Sequence, residues 1–303
     1  MRICTLLPSA TEIAFALGLG DEVVGVTHEC DYPPEARKRR VVVRSAIDPA
    51  GHSSGDIDRA VRERLQAQQS LYTLDLERFQ AAAPDIVITQ DLCEVCALDY
   101  DEVVRAADSL PKTPKIVSLA PATLADVFKD IETVGEAAGR KDAAAAVVAE
   151  LKRRVERVRE AAARSDRKPR VACIEWADPI YPAGHWVPEM VELAGGSDGL
   201  GKKGEPAKVV GWEQVRAYAP EVVVLMPCGF GVERAVAEAP ELQRRDGWHE
   251  LPAVKTGRVY AVDGSAYFNR PGPRLVEGIE ILAALIHPEI FLPPSSDAAR
   301  RIA

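Results

Sequence analysis

The side chains best suited to chemistry gather in a few short segments. Cys93 and Cys96 form a Cys-x-x-Cys pair, and His28-x-Cys30 adds two more soft or borderline donors. A structural zinc takes four such ligands. The sequence holds no second Cys-x-x-Cys, so His28 and Cys30 are the residues that would complete a set with Cys93 and Cys96. The same spacing suits a reversible disulfide, and inert free thiols are a third reading. Cys93 with His28 would also make a nucleophile and its base, which keeps a thiol-dependent enzyme open. Catalytic signatures are otherwise missing: there is no G-x-S-x-G elbow and no P-loop. Gly195-Gly196-Ser197-Asp198-Gly199 follows a helical stretch and reads as a helix stop, not a phosphate cradle.

A second signal is aromatic. Only 6% of the chain is Phe, Trp or Tyr, yet Tyr32, Tyr181, Trp186, Phe230, Tyr267 and Phe268 all fall in segments that follow strand-like runs. Open parallel sheets bind ligands beyond the carboxyl ends of their strands. Flat apolar side chains with a few polar anchors suit a large ligand there.

These segments need elements to hold them. Short β-branched runs at residues 3–6, 23–26, 41–43, 86–89 and 116–119 alternate with amphipathic stretches, the pattern of βα units on a parallel sheet. Ser9 with Glu12 three residues later predicts a capping box opening a helix over 11–17, which Gly18 and Gly20 end. A second set of strands, at 171–176, 222–226 and 259–262, predicts a second α/β lobe. Between them, residues 142–164 contain neither Gly nor Pro. Ala144, Val148, Leu151, Val155, Val158 and Ala162 make one apolar stripe along this segment, with charged residues off it. As a helix it would be about 34 Å long, a strut rather than a flexible linker. The expected fold is α/β, with two Rossmann-like lobes joined by a single long rigid helix. The lobes would be 1–120 and 169–303, with connecting helices over 121–168.

A weak internal repeat supports two related lobes. Glu77-Arg-Phe-Gln-Ala-Ala-Ala-Pro84-Asp-Ile-Val-Ile88 matches Glu213-Gln-Val-Arg-Ala-Tyr-Ala-Pro220-Glu-Val-Val-Val224, one copy on each side of the long helix. In each, a helix stops at a proline and a strand follows.

Bulk properties narrow the function. The 303 residues suit two lobes, 47% hydrophobic and 28% charged residues are a globular profile, and a net charge of -8 disfavours a nucleic-acid partner. The basic run Arg37-Lys38-Arg39-Arg40 reads as a solvated face. No apolar stretch reaches membrane-spanning length, so no membrane insertion is expected. The chain opens directly into a strand with no signal peptide, and Cys4, Cys173 and Cys228 sit in or at the end of apolar runs. Both features predict a cytoplasmic place, with an extracytoplasmic one as the alternative if the start is trimmed.

With these segments in view, the chain resembles the vitamin B12 and iron-siderophore branch of ABC-transporter substrate-binding proteins, and most of all its cobalamin-binding members. The markers are Leu7-Pro8-Ser9-Ala10-Thr11-Glu12, Gly25-Val26 followed by Asp31-Tyr32-Pro33-Pro34, Leu76-Glu77 before Pro84-Asp85, the Gly195-Gly196 turn, and Tyr267-Phe268-Asn269-Arg270 before Pro273-Arg274. They span residues 3 to about 288, nearly the whole chain.

The resemblance implies a non-enzymatic protein that holds cobalamin or a related corrinoid between its lobes, as part of an ABC importer or as a cytosolic carrier. Haem, siderophore or metal-ion binding on the same fold is the alternative. By position, Tyr32, Tyr181 and Arg270 match residues that touch the ligand, with Ser9, Trp186, Tyr267 and Phe268 beside them. Glu77 and Glu213 match a pair of lobe-tip glutamates that dock on permease arginines. His28, Cys30, Cys93 and Cys96 are extra to the simplest cobalamin binders and resemble a subgroup with a His-x-Cys-Asp-Tyr-Pro loop. The resemblance does not give their role; as soft and borderline donors gathered together, they are expected to ligate a metal, zinc or the corrinoid cobalt.

Overall fold

The computed structural model describes residues 1–49, 51–90 and 98–303. The first half runs β1 (Ile3–Thr5), α1 (Pro8–Ala16), β2 (Val23–Thr27), β3 (Val41–Ser45), α2 (Ser54–Gln66), β4 (Tyr72–Leu74), α3 (Leu76–Ala82), β5 (Ile86–Gln90), α4 (Tyr100–Asp108), β6 (Lys115–Leu119), α5 (Leu124–Ala137) and α6 (Lys141–Ala162). The second runs β7 (Arg170–Trp176), β8 (Tyr181–Pro182), α7 (Val187–Leu193), β9 (Ser197–Asp198), α8 (Trp212–Tyr218), β10 (Val222–Leu225), α9 (Val232–Gln243), α10 (Pro252–Lys255), β11 (Val259–Val262), α11 (Gly264–Tyr267), α12 (Leu275–Ile286) and β12 (Ala299–Arg301).

Contacts divide the chain into two compact units. One comprises Met1–His52, Asp56–Pro121 and Ala125–Glu150; the other comprises Ser53–Gly55, Ala122–Leu124 and Leu151–Ala303. The first holds a six-stranded sheet in the order β4-β3-β2-β1-β5-β6, parallel except for β4. The second holds β12-β11-β10-β7-β8, with β9 paired to β7. Each is an α/β lobe. The apolar strand runs are buried as parallel sheets require. Cys4, Leu6, Val42 and Val87 pack with Phe79 and Val103 in one unit; Ala172, Ile174, Val223 and Leu225 pack with Val215 and Trp248 in the other.

The long helix forms as its pattern predicts. α6 is continuous over 22 residues, its first part counted in one unit and its second in the other. All six residues of the stripe, Ala144, Val148, Leu151, Val155, Val158 and Ala162, are buried. Within the second unit Arg154 fixes it to α12 by a bidentate pair with Glu280, at 2.9 and 2.6 Å.

The internal repeat is visible atom by atom. Arg2, just before β1, donates its backbone N–H to Asp85 (3.0 Å) and its Nε to the Ala82 carbonyl (2.7 Å) at the end of α3. Arg170, the first residue of β7, donates its backbone N–H to Glu221 (3.1 Å) and its Nε to the Ala219 carbonyl (2.9 Å) just beyond α8. The same clamp thus ties helix to strand in both units. Each helix also ends on an alanine in the left-handed region, Ala83 at φ 42° and Ala219 at φ 49°.

The start of α1 differs from the capping-box expectation. The helix begins at Pro8, whose fixed φ and missing N–H suit the first helical position. Leu7 is the N-cap and lends no side-chain hydrogen bond. Ser9 therefore lies inside the first turn. The far end is as expected, with Gly18 at φ +71° accommodating the left-handed stop.

Candidate functional site

In each unit the strand order turns about its first strand. Successive strands add on one side of β1 and then, from β5, on the other; β7 and β10 play the same parts. Such switch points open a crevice at the carboxyl ends of the strands. Each unit has a crevice of its own, called its half-site.

In the first unit, Ser9 sits in the first turn of α1, 1% exposed. Its Oγ has no hydrogen-bond partner among the described residues. Beyond β2 lies a buried cluster of hydroxyls around a thiol. The Thr11 hydroxyl donates to the Cys30 sulfur (3.0 Å), the Thr27 backbone N–H donates to it (3.3 Å), and the Thr27 hydroxyl lies 3.2 Å away. Thr5 joins through Thr11 at 2.7 Å. Cys30 is thus an inward, hydrogen-bonded residue, while His28 is exposed with Nε2 4.0 Å from Glu29. Cys93 and Cys96 lie outside the described residues. Among the described residues no group of three or more His, Cys, Asp or Glu side chains is placed to hold a metal. Tyr32 is 41% exposed on the loop after β2.

In the second unit the half-site is aromatic and basic. Trp176, the last residue of β7, meets Phe230, just beyond β10, with ring centroids 5.6 Å apart. The Trp176 indole donates to the Ser54 carbonyl at 3.1 Å. Arg234 lies over the Phe230 ring at 4.4 Å, and Arg274 over the Tyr267 ring at 4.5 Å. Both are cation–π distances. Asp263 caps α11 by accepting from the Ala266 N–H (2.7 Å). Gly264 allows α11 to press on the exit of β10: a Cβ there would lie 2.5 Å from the Pro227 carbonyl oxygen. Tyr181, Tyr267 and Arg270 are half-buried at this edge.

Three of the expected ligand residues, Ser9, Trp186 and Phe268, are buried. Trp186 is 6% exposed, and its indole donates to the Phe268 carbonyl at 2.8 Å; Phe268 is 0% exposed. At Trp186 the cause is β8. It pairs antiparallel with β7, Tyr181 against Trp176 and Pro182 against Ile174, so the residues after Tyr181 retreat from the carboxyl edge. Trp186 and Phe268 brace the half-site from behind. Conversely, Trp176 and Arg234 were not singled out in the sequence, and Arg274 only as a marker of the resemblance. Trp176 closes an apolar strand run, and the final residue of a strand is the one that borders the crevice.

Glu77 and Glu213 lie in the first turns of α3 and α8. Both are exposed. Glu213 accepts from Arg216 at 3.1 and 3.2 Å.

Two α/β units, each with a sheet crevice and sharing one continuous helix, define a two-lobed solute-binding protein. A family model described as periplasmic binding protein matches residues 3–266. An ABC transporter substrate-binding lipoprotein of Bacillus subtilis (strain 168) is 31% identical over 295 residues, 96% of this chain and 81% of that protein. The chain belongs to the periplasmic binding protein family. A vitamin B12-binding protein of Vibrio cholerae is 26% identical over 290 residues, 92% of this chain and 86% of that protein. A periplasmic heme binding protein from Pseudomonas aeruginosa shares the fold with a TM-score of 0.75 at 19% identity, covering 100% of this chain and 98% of that one.

Membership corrects the cytoplasmic placement. The family is periplasmic, and the Bacillus relative is a lipoprotein. The thiol argument misled for a physical reason. Cys4 and Cys173 are wholly buried, and desolvation pushes the Cys4 thiol up to about 12 and Cys173 well above its usual value. Thiols so protected persist unpaired in an oxidising compartment. Nor does the position at which the chain begins specify where it works.

Proposed function

We propose that this protein captures cobalamin or a related corrinoid and presents it to the permease of an ABC importer. The observation that carries the ligand is the likeness to the Vibrio cholerae vitamin B12-binding protein across 92% of this chain. The half-site of the second unit supports it. Trp176 and Tyr267 offer flat apolar surface, backed by the buried Phe230, with guanidinium groups stacked on Phe230 and Tyr267. A macrocycle fringed with polar groups suits such a surface. Tyr32, Tyr181 and Arg270 are the ligand contacts in this reading, residues 1–120 and 169–303 are the two binding lobes, and 121–168 connects them. Glu77 and Glu213 are the permease-docking carboxylates. Haem is the second reading, favoured by the fold shared with the Pseudomonas aeruginosa protein.

Calorimetric titration of the full chain with cyanocobalamin, hemin and a ferric hydroxamate separates these. Cyanocobalamin is expected to bind at micromolar or tighter, about -8 kcal/mol. Tyr181→Ala and Arg270→Ala should each weaken it by about tenfold, the loss of one good contact. Hemin binding with no corrinoid binding would sink the first reading in favour of the second.

A further inference from the structure

Arg234 stands in the first turn of α9, the helix that leaves the carboxyl end of β10. A cation there opposes the positive end of the helix dipole and is disfavoured. The residue is nonetheless held from two sides. Its guanidinium lies on the face of Phe230 at 4.4 Å, and Phe230 leans on Trp176. Its Nε is 3.3 Å from Oε1 of Glu238, one turn further along α9.

Glu238 is the unusual partner. It is 5% exposed, and its second oxygen, Oε2, is buried with no hydrogen-bond partner among the described residues. Burying a carboxylate carries a desolvation penalty even when it is paired. An apolar side chain at 238 would pack the same helix face without that cost, so stability alone does not account for it. What the carboxylate and the ring achieve together is orientation. They fix a planar, five-donor guanidinium, still 30% exposed, at the edge where sheets of this kind take ligands.

We propose that Arg234 binds an anionic group of the ligand, a phosphate diester or a carboxylate, and that Glu238 is the positioning residue that aims it. The inference rests on the ligand-binding reading above and adds to it the charge of the ligand where it meets the second unit. A corrinoid would supply the phosphodiester of its nucleotide loop; haem would supply a propionate. The geometry suits either, because a guanidinium fork donates to both groups in the same bidentate manner.

The test is a ratio of affinities, measured by calorimetry on the full chain with paired probes. Cyanocobalamin is compared with dicyanocobinamide, which keeps the corrin ring and lacks the phosphodiester. Hemin is compared with hemin dimethyl ester. Arg234→Met is expected to weaken the anionic member of the bound pair by about ten- to hundredfold, the range of a lost charged hydrogen bond, and to leave its neutral counterpart unmoved. Arg234→Lys, which keeps charge but not the fork, should shift the ratio the same way by less. Glu238→Gln should also shift the ratio, which a merely structural role would not do. Equal losses for both members, or no loss for either, would overturn the proposal while leaving the corrinoid reading intact. Selectivity found only in the hemin pair would uphold it and overturn the corrinoid reading. A wild-type chain that binds none of the four probes would remove both.

Discussion

Cys4 on β1 and Cys173 on β7 have no exposed surface, whereas Cys228 is exposed on the loop after β10. The thiolate is the form that reacts. Desolvation holds Cys4 up at about 12 and Cys173 well above the ordinary thiol value, so at pH 8 neither ionises in the native fold. Iodoacetamide at pH 8 should therefore modify Cys228 in the native protein, and Cys4 and Cys173 only after denaturation. Peptide mass mapping reads the sites; native modification of Cys4 or Cys173 would contradict the burial described. At this scale the sequence was half legible. The loops that carry Tyr32, Tyr181, Tyr267 and Arg270 were readable because an α/β pattern says which loops follow the strands, and these four side chains are exposed or half-buried there. The burial of Trp186 and Phe268 was not readable, because exposure within a loop depends on partners far along the chain: the Trp186 indole meets the Phe268 carbonyl 82 residues on. Arg234 was invisible for the same reason: an arginine on a helix shows its role only once Phe230 and Glu238 are seen around it.

Elements long enough to show a period were readable. The five first-unit strands expected from β-branched runs all form, and α6 spans Lys141–Ala162 against an expected 142–164. β4, β8, β9 and β12 are two or three residues each, too short to carry an alternation. The repeat predicted two similar helix–strand units, but not that Ala83 and Ala219 would both be left-handed. A non-glycine residue pays about 1–2 kcal/mol for that conformation, and glycine returns part of the gain as unfolded-state entropy. Ala83→Gly and Ala219→Gly should each stabilise the protein by about 0.5–1 kcal/mol in urea unfolding. Unchanged or lowered midpoints would show that the alanine methyls pack favourably enough to offset the strain. α5 supplies a pH test. Burial, with the charge of Asp126 second, raises the Asp130 carboxyl to about 7 from an ordinary 3.8, and its Oδ2 has no hydrogen-bond partner among the described residues. A folded pKa above the unfolded one means stability that is full below pH 3.8 and declines as pH rises through about 7. Asp130→Asn should thus melt higher than wild type at pH 8 and converge with it near pH 4. A constant offset across that range would show that the carboxyl is not the cause.

For the molecule as a whole, the repeat places one exposed glutamate at the same position in each unit, and the proposed docking uses both. The two are not electrostatically alike. Glu77 has no ion-pair partner among the described residues: the repeat position of Arg216 is held here by the uncharged Gln80, and Arg78 pairs with its own helix cap, Asp75, at 3.1 Å. Glu213 is bound by Arg216, which also reaches Glu250 at 3.1 Å and passes over Gly247, where a Cβ would lie 2.6 Å from its Nε. A permease arginine therefore meets an unneutralised carboxylate in the first unit and must share one with Arg216 in the second. Exposed charges act mainly on association rate and its salt dependence. Removing Glu77 should thus slow association more than removing Glu213 does, and Arg216→Met, by freeing Glu213, should speed it. With the full chain and its permease–ATPase complex in lipid nanodiscs, surface plasmon resonance should give about a three- to tenfold lower on-rate for Glu77→Gln, a smaller loss for Glu213→Gln, and a combined loss that shrinks as salt rises. Ligand affinity, measured separately, should stay at the wild-type value in both variants, since neither glutamate belongs to a half-site. Equal on-rates for wild type and the double variant would remove these carboxylates from the docking surface. A larger loss at Glu213 than at Glu77 would mean that Arg216 orients its partner for docking instead of competing for it.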